Sequence, residues 1–365
     1  MNLDVIRKMD RIHSYPAKFT IDLAMKFVEK LTKPGDVVYD PFLGSGTTLL
    51  AAKLLGRNGY GTDINHIAIL ISKFKLLDLN KANFKHLGSF IEDFKTSYKE
   101  EIEKIEPYSY PSINHWFCDD SIKILTLIRN KILLFKNEKE KTFSELVMSS
   151  IVNLASNQES DTRYAAIDKP KLNIDYVAQA FIKKFESTLE LYEEFNKEIS
   201  FDVFETAELL NAKQCTSLFE KNSIDLILTS PPYPNTYDYY LYHKHRMNWL
   251  GYDVNFSKNN EIGSRREFSS LKQPKEKFNE DMFDILSECN KGLKRKGYAV
   301  LVMGDGKIQG KVYEAKSNMA TLCRKLNWKL VDYSYSLLDE TSRSFQKSYR
   351  TKGKKEHVLV FQKEA

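Results

Sequence analysis

The 365-residue chain predicts a doubly wound α/β fold that carries a mainly helical insertion. Three observations carry that expectation. Short apolar strand patterns alternate with helical patterns toward both ends of the chain, and turn-forming glycines and prolines fall where strands stop. Between about Asn80 and Asp202 the strand signals fade, the segment becomes Lys/Glu-rich, and its apolar residues recur at three and four.

The elements follow in order. TIDLAMKFVEKL (Thr20 to Leu31) has helical periodicity, DVVYD (Asp36 to Asp40) is a short buried strand, and TTLLAAKLLG begins a helix with Gly56 as its C-cap. GYGTDI is the next strand and NHIAILISKFKLLDL the next helix, an order that suits parallel strands joined by crossover helices. Strands resume at VFETAELLNA and SIDLILTSPPY. A long helix over roughly Phe278 to Leu293, the strand GYAVLVMGDG and a helix near Lys316 to Lys325 come next. KLVDYSYSLL and EHVLVFQKE predict an antiparallel pair closing the sheet edge. The expected division is residues 1–80 and 203–365 as two parts of one core, with 81–202 inserted.

Composition narrows the function classes. With 42% apolar residues the chain can bury a large core, and no run of about 18 apolar residues marks a membrane span. The N-terminus is charged and lacks the apolar centre of a secretory signal, so a soluble cytoplasmic protein is expected. Cys118, Cys215, Cys289 and Cys323 lie far apart with no C-x-x-C pair, which argues for four buried thiols. No metal site is expected: His243 and His245 sit two apart with no acid or cysteine ligand adjacent. The net charge of +6 permits a polyanionic partner without demanding one.

Two loops carry chemistry. DPFLGSGTT (Asp40 to Thr48) puts an acid at a strand end, a proline after it, and Gly44 and Gly46 where the chain must turn before a helix. In a doubly wound sheet such a loop faces the usual nucleotide position, and Asp63, ending the second strand, suits a ribose diol. An ordinary strand-turn-helix is the competing reading. Leu49 stands where a dinucleotide loop would have its third glycine, and no P-loop lysine follows. S-adenosylmethionine fits better, because an acid at position 40 attracts its cationic groups and would repel a pyrophosphate.

The second loop is TSPPYPNTYDYY (Thr229 to Tyr240), at the end of the apolar run IDLIL. Pro231 and Pro232 remove two backbone donors and fix φ, which leaves carbonyls free to accept from a ligand. Ser230 adds a hydroxyl and Tyr233 a ring, so a planar base with an exocyclic amino group finds acceptors and a stacking face. Hydrogen bonds from both amino hydrogens to fixed acceptors draw the lone pair out of the ring, as attack on an electrophilic methyl requires. A proline-rich turn with packed tyrosines is the alternative.

With HSYPAKF (His13 to Phe19) upstream, these loops in this order resemble those of the S-adenosylmethionine-dependent amino-methyltransferases that act on DNA, mainly from restriction-modification systems. INHWF (Ile113 to Phe117) and SNQESDTRY (Ser156 to Tyr164) are similar to segments of a subset of that family, which brings the insertion into the likeness as a candidate target-recognition region. The resemblance implies a seven-stranded Rossmann-like methyltransferase core. It assigns cofactor contacts to His13, Tyr15, Ala17, Lys18, Phe19, Asp40, Pro41, Phe42, Gly44, Ser45, Gly46, Thr47 and Asp63, and catalysis to Ser230, Pro231, Pro232 and Tyr233. Family members often place an acid after the third strand for the adenine amino group. Here LLNAKQC offers Asn211, Lys213 and Gln214 instead, with Asn211 as the candidate contact.

Serine at the first catalytic place is typical of members that methylate N4 of cytosine, and N6 of adenine is the alternative. Methylation at carbon 5 would need a cysteine nucleophile, presented in that branch as Pro-Cys, and the chain has no such dipeptide. The implied partners are double-stranded DNA, with the base flipped out of the stack, and a cognate restriction endonuclease. Phosphate and base contacts are expected from Arg265 and Arg266 in SRREFSSLKQPKEK, from Lys347 and Arg350 in SRSFQKSYRTKGKK, from Asn157 and Arg163 in SNQESDTRY, and from Arg246 in YHKHR. For the two basic loops, a solvated loop is the equal alternative.

Overall fold

The computed structural model describes residues 1–337 and 355–364. The chain opens with α1 (Leu3–Asp10), α2 (Ile21–Leu31), β1 (Val37–Asp40), α3 (Thr47–Leu54), β2 (Asn58–Asp63) and α4 (His66–Leu76). There follow α5 (Lys81–Glu101), α6 (Ile113–Trp116), α7 (Asp119–Leu133), α8 (Glu138–Val152), the strands β3 (Gln158–Ser160) and β4 (Arg163–Ala166), and α9 (Ile174–Asn196). The last part holds β5 (Glu205–Leu209), β6 (Ile224–Thr229), α10 (Tyr239–Leu250), α11 (Val254–Asn260), α12 (Lys275–Gly292) and β7 (Leu293–Gly304). It ends with β8 (Gly306–Ile308), β9 (Lys311–Tyr313), α13 (Ala315–Lys325), β10 (Trp328–Leu337) and β11 (Lys355–Lys363).

Seven strands form one sheet in the order β10-β11-β7-β6-β1-β2-β5. β7, β6, β1, β2 and β5 run parallel, while β11 is antiparallel to both β7 and β10. This is the doubly wound, Rossmann-like α/β sheet expected, with the antiparallel pair at one edge. The strand order reverses between β1 and β6, so the crevice at the switch point opens where Asp40 and Thr229 end their strands.

Local chemistry sets the element ends. Thr20 caps α2 by accepting the Leu23 amide, and Asn80 and Asn83 form a reciprocal capping box on α5. α3 starts from Gly46 at φ 73° with no side-chain cap and is buried along its whole length. On one face of the sheet, Phe278, Met282, Ile285, Leu286 and Met319 from α12 and α13 pack with Tyr39, Ile227, Ala299, Leu301 and Leu359.

The chain divides into two compact units. The sheet unit comprises Tyr15–Ser72, Ser200–Tyr239 and Phe256–Ala365, and the helical unit comprises Met1–Ser14, Lys73–Ile199 and Tyr240–Asn255. The division departs from the expected boundaries, because α1 and nearly all of α10 fall with the helices. The helical unit is built on an aromatic core in which Phe74 meets Tyr192 edge-on at 5.1 Å and Phe143 meets Phe185 at 5.2 Å. α1 is tied in by a buried ion pair, Lys75 Nζ to Asp10 Oδ1 at 3.0 Å. The β3–β4 hairpin falls in the insertion, which was expected to be mainly helical.

Candidate active site

The glycine loop is held from beneath by Asp40. Its carboxylate is 2% exposed and accepts from Thr229 Oγ1 at 2.5 Å, Thr48 Oγ1 at 2.7 Å and the Phe42 amide at 3.0 Å. Burial raises its pKa to about 6, against the lowering effect of those three donors. Both Asp40 oxygens accept donors from within the protein, and the group braces β1, α3 and β6. Thr62 donates to the Pro41 carbonyl at 3.2 Å, Ser45 and Thr47 share a hydroxyl contact at 3.2 Å, and Phe42 is half-buried.

Gly46 could not be another residue without strain. Its φ is 73°, and an added Cβ would stand 2.7 Å from Ser72 Oγ and 3.0 Å from Ser72 Cα. At the end of β2, Asp63 accepts the Gly44 amide and the Asn65 amide, each at 2.8 Å, and burial raises its pKa to about 6. One backbone donor on each oxygen leaves lone pairs for a diol, so Asp63 beside an open glycine turn fits the ribose of S-adenosylmethionine. The Tyr15 ring reaches to 3.2 Å of where a Gly44 Cβ would lie and stacks on Tyr239 at 5.9 Å. Burial first, then Asp63, Tyr239 and Glu261, hold the Tyr15 phenol far above its ordinary range.

The rest of the upstream element divides. Ala17 takes φ 54°, Lys18 is half-buried and Phe19 is buried, all in the sheet unit. His13 belongs to the helical unit. Its Nδ1 lies 2.8 Å from the Ser14 carbonyl, so it donates there, and Nε2 accepts from Ser149 Oγ at 2.9 Å. Both ring nitrogens thus serve the fold, which corrects the expected cofactor contact. Burial, and then the Arg246 charge, lower its pKa to about 3. Asn211, expected at the cofactor, accepts the Lys213 amide at 3.0 Å and donates to Asn260 Oδ1 at 3.0 Å at the end of β5.

The second loop leaves β6 as a rigid, cross-braced segment. Asn235 donates its amide to the Gly263 carbonyl at 2.8 Å and its side chain to the Lys307 carbonyl at 2.7 Å. The Arg266 amide donates to Asp238 Oδ1 at 2.9 Å, the Arg265 amide to the Tyr237 carbonyl at 3.2 Å, and the Tyr239 amide to Glu261 Oε1 at 2.6 Å. Ser230 and Pro232 are half-buried, Pro231 is buried, and Tyr233 is 5% exposed. The Tyr233 ring lies against Gly304, whose absent Cβ would meet it at 2.8 Å, and its hydroxyl donates to Glu356 Oε1 at 2.7 Å. Tyr233 is a wall of the core here, not an open stacking platform as expected.

The candidate nucleic-acid contacts also sort by burial. Arg246 is 1% exposed; its guanidinium pairs with Asp161 and donates to the Ser149 carbonyl at 3.1 Å. It holds the hairpin turn to α10, which corrects the expectation of a phosphate contact. Arg246 and two further donors, Ser14 and Asn153, outweigh burial and keep the Asp161 carboxyl well below its usual range. Arg163 is exposed and ion-paired to Glu159 at 2.9 Å. The Asn157 backbone pairs with Trp116 and Ile167, its side chain half-buried. Arg265 is half-buried and Arg266 exposed, while Lys347 and Arg350 lie outside the described residues. Sequence reasoning missed Thr48, which closes the loop that Asp40 opens, Thr229, which adjoins the serine, and Glu356, which has no local signal at all.

Comparison with known proteins adds to this geometry. A family model described as DNA methylase, of the N6 and N4 type, matches residues 4–74, which include the glycine loop and Asp63. A type II methyltransferase of Kocuria varians is 28% identical over 248 residues, covering 64% of this chain and 55% of that protein. One of Methanocaldococcus jannaschii is 22% identical over 395 residues, covering 84% and 74%. A third, of Geobacillus stearothermophilus, is 27% identical over 298 residues, covering 67% and 54%. The chain thus spans about half the length of two of these relatives.

Proposed function

We propose that this chain is a DNA methyltransferase that uses S-adenosylmethionine and methylates an exocyclic amino nitrogen, N4 of cytosine, in a base flipped from the duplex. The observation that carries the reading is the junction at the switch point. There the glycine loop and the strand end bearing Ser230 are fastened to one another through Asp40, Thr48 and Thr229. The DNA methylase family match and the type II methyltransferase relatives support the same chemistry. A cognate restriction endonuclease is the corresponding partner.

When bound, S-adenosylmethionine supplies a methyl made electrophilic by its sulfonium. The chain's own residues do the rest. Asp63 holds the ribose end, and the Gly44–Gly46 turn lets the ligand approach the backbone. Ser230 Oγ and the Pro231 carbonyl accept the two amino hydrogens and so fix the nitrogen with its lone pair directed at the methyl. No protein nucleophile takes part, and the proton lost from the methylated nitrogen leaves to water. Because the matching family model covers N6 as well as N4 enzymes, adenine N6 is the second reading.

Replacing Ser230 by alanine tests the assignment. The rate of methyl transfer to DNA falls by on the order of 10²-fold, while the Kd for S-adenosylmethionine by calorimetry moves little. Unchanged turnover removes Ser230 from the chemistry.

A further inference from the structure

The helical unit contains a groove of about 480 Å³ that the methyl-transfer reading does not use. The chain leaving α1, the end of α8 and the middle of α9 line it, and Ile12, Ile151 and Ala180 give it apolar walls. Lys183 and Lys184 of α9 bring it positive charge. Lys183 is exposed. Lys184 is half-buried, and its Nζ donates to the Ile12 carbonyl at 3.1 Å, which leaves ammonium hydrogens for another acceptor. Neither lysine forms an ion pair among the described residues, and burial alone holds the Lys184 ammonium below its ordinary pKa.

A cation drawn out of water without a counter-charge is costly, and elsewhere in this unit it is offset. Lys75 meets Asp10 at 3.0 Å, and Lys131 meets Glu101 at 2.7 Å and Asp93 at 3.0 Å. The acid on the groove wall, Asp161, is already neutralised, since its Oδ1 accepts from both Arg246 and Asn153. An adjoining groove that shares Ile12 and Lys184 differs, because Asp4, Glu190 and Glu194 stand there against Arg7, Lys8 and Arg11. The first groove therefore keeps the charge of two lysines beside an apolar flank, in a volume usual for a ligand site. That combination suits an anion carried on an apolar body.

We propose that this groove is a phosphate site for DNA, in which Lys183 and Lys184 hold one phosphodiester of the bound duplex and the apolar wall lies against its sugar. The inference rests on the functional reading above, which makes DNA the substrate. A phosphodiester has two non-bridging oxygens for the two ammonium groups, and its sugar presents C–H edges to Ile12 and Ile151. Such a contact fixes the protein on the duplex without reading sequence, so the groove supplies grip and register and leaves the choice of base to other residues. It also gives the helical unit the phosphate contact that Arg246, committed to Asp161, does not provide.

The test compares the parent chain with Lys183→Ala, Lys184→Met, the double variant and Lys8→Ala, whose lysine already pairs with Asp4 at 2.8 Å in the adjoining groove. Methionine keeps the apolar stem of Lys184, and the exposed Lys183 tests the site without touching the packing. Fluorescence anisotropy with labelled duplexes of two unrelated sequences is read across a potassium chloride series, and methyl transfer to the same duplexes is followed with labelled S-adenosylmethionine. The slope of log K against log salt is expected to fall by about 1 in each single variant and by about 2 in the double variant, equally for both sequences, and to stay unchanged in Lys8→Ala. In the double variant the KM for DNA rises by about tenfold while kcat stays within about twofold of the parent. An unchanged slope in the double variant, or a loss confined to one sequence, overturns the proposal while the parent enzyme remains active. Calorimetry with inorganic phosphate separates the sources: Lys184-dependent binding of free phosphate with the DNA slope unchanged overturns the DNA assignment in favour of a small anion. A parent chain that neither binds duplex DNA nor transfers methyl to it overturns the functional reading itself.

Discussion

The carboxylate of Asp40 and the hydroxyl of Thr229, 189 residues apart in the chain, meet at 2.5 Å where β1 and β6 end side by side. Thr229 precedes Ser230, and Asp40 opens the glycine loop, so this bond sets the glycine turn and the strand end bearing Ser230 in one frame. The same acid takes the Thr48 hydroxyl, which also donates to the Leu228 carbonyl at 3.1 Å.

Thr229→Val removes that bond without changing side-chain shape. It leaves a buried carboxylate short of one donor and is expected to cost about 1–3 kcal/mol of stability. Denaturant unfolding reads the loss, and calorimetry should show weaker S-adenosylmethionine binding in the variant. Thr229→Ser keeps the hydroxyl and should restore both.

The two units carry opposite pH responses. His13 is neutral in the fold, with a pKa near 3 against 6.5 in the unfolded chain, so protons bind preferentially to the unfolded state between those values. Its contribution is present above about pH 6.5 and is lost progressively toward pH 3. Asp40 and Asp63 are raised from 3.8 to about 6, so their contribution is present below about pH 4 and is lost as pH rises through 6. Hydrogen exchange between pH 4.5 and 7, corrected for intrinsic rates, is expected to show the helical unit weakening with acid. Burial lowers His243 and His245 of the same unit in the same direction, so His13→Asn should lessen that slope without abolishing it, and an unaltered slope would remove His13 from the account.

Arg246 and Arg266 make a matched pair of tests. Arg246→Met leaves Asp161 charged, partly buried and without its cation, at a cost of about 1–3 kcal/mol, with no change in the salt dependence of DNA binding for the protein that remains folded. Arg266 is exposed. If it meets a phosphate, Arg266→Ala leaves stability within about 0.5 kcal/mol and lowers the slope of log K against log salt by about 1. Fluorescence anisotropy across a salt series measures both slopes.

What was legible in the sequence was local. DVVYD, DPFLGSGTT and TSPPY announce a strand, a positive-φ turn and a strand end within a few residues, because the period and the glycines or prolines that set the backbone lie side by side. What escaped depends on distance or burial. An arginine is spelled the same whether it meets a phosphate or, like Arg246, an aspartate 85 residues earlier. Glu356 reaches Tyr233 across 123 residues only because β11 is inserted beside β7. The β3–β4 hairpin, with strands of three and four residues, is too short and polar for alternation to register. His13 and Tyr15, two apart in one motif, fall in different units because the boundary passes between Ser14 and Tyr15.

The central claim is methyl transfer to an amino nitrogen of DNA. It is tested most directly by incubating the purified chain with isotopically labelled S-adenosylmethionine and duplex DNA of varied sequence, then digesting the DNA to nucleosides for mass spectrometry. The predicted result is label in N4-methyldeoxycytidine. Label in N6-methyldeoxyadenosine would overturn the choice of base, and label in 5-methyldeoxycytidine, or none in DNA, would contradict the account.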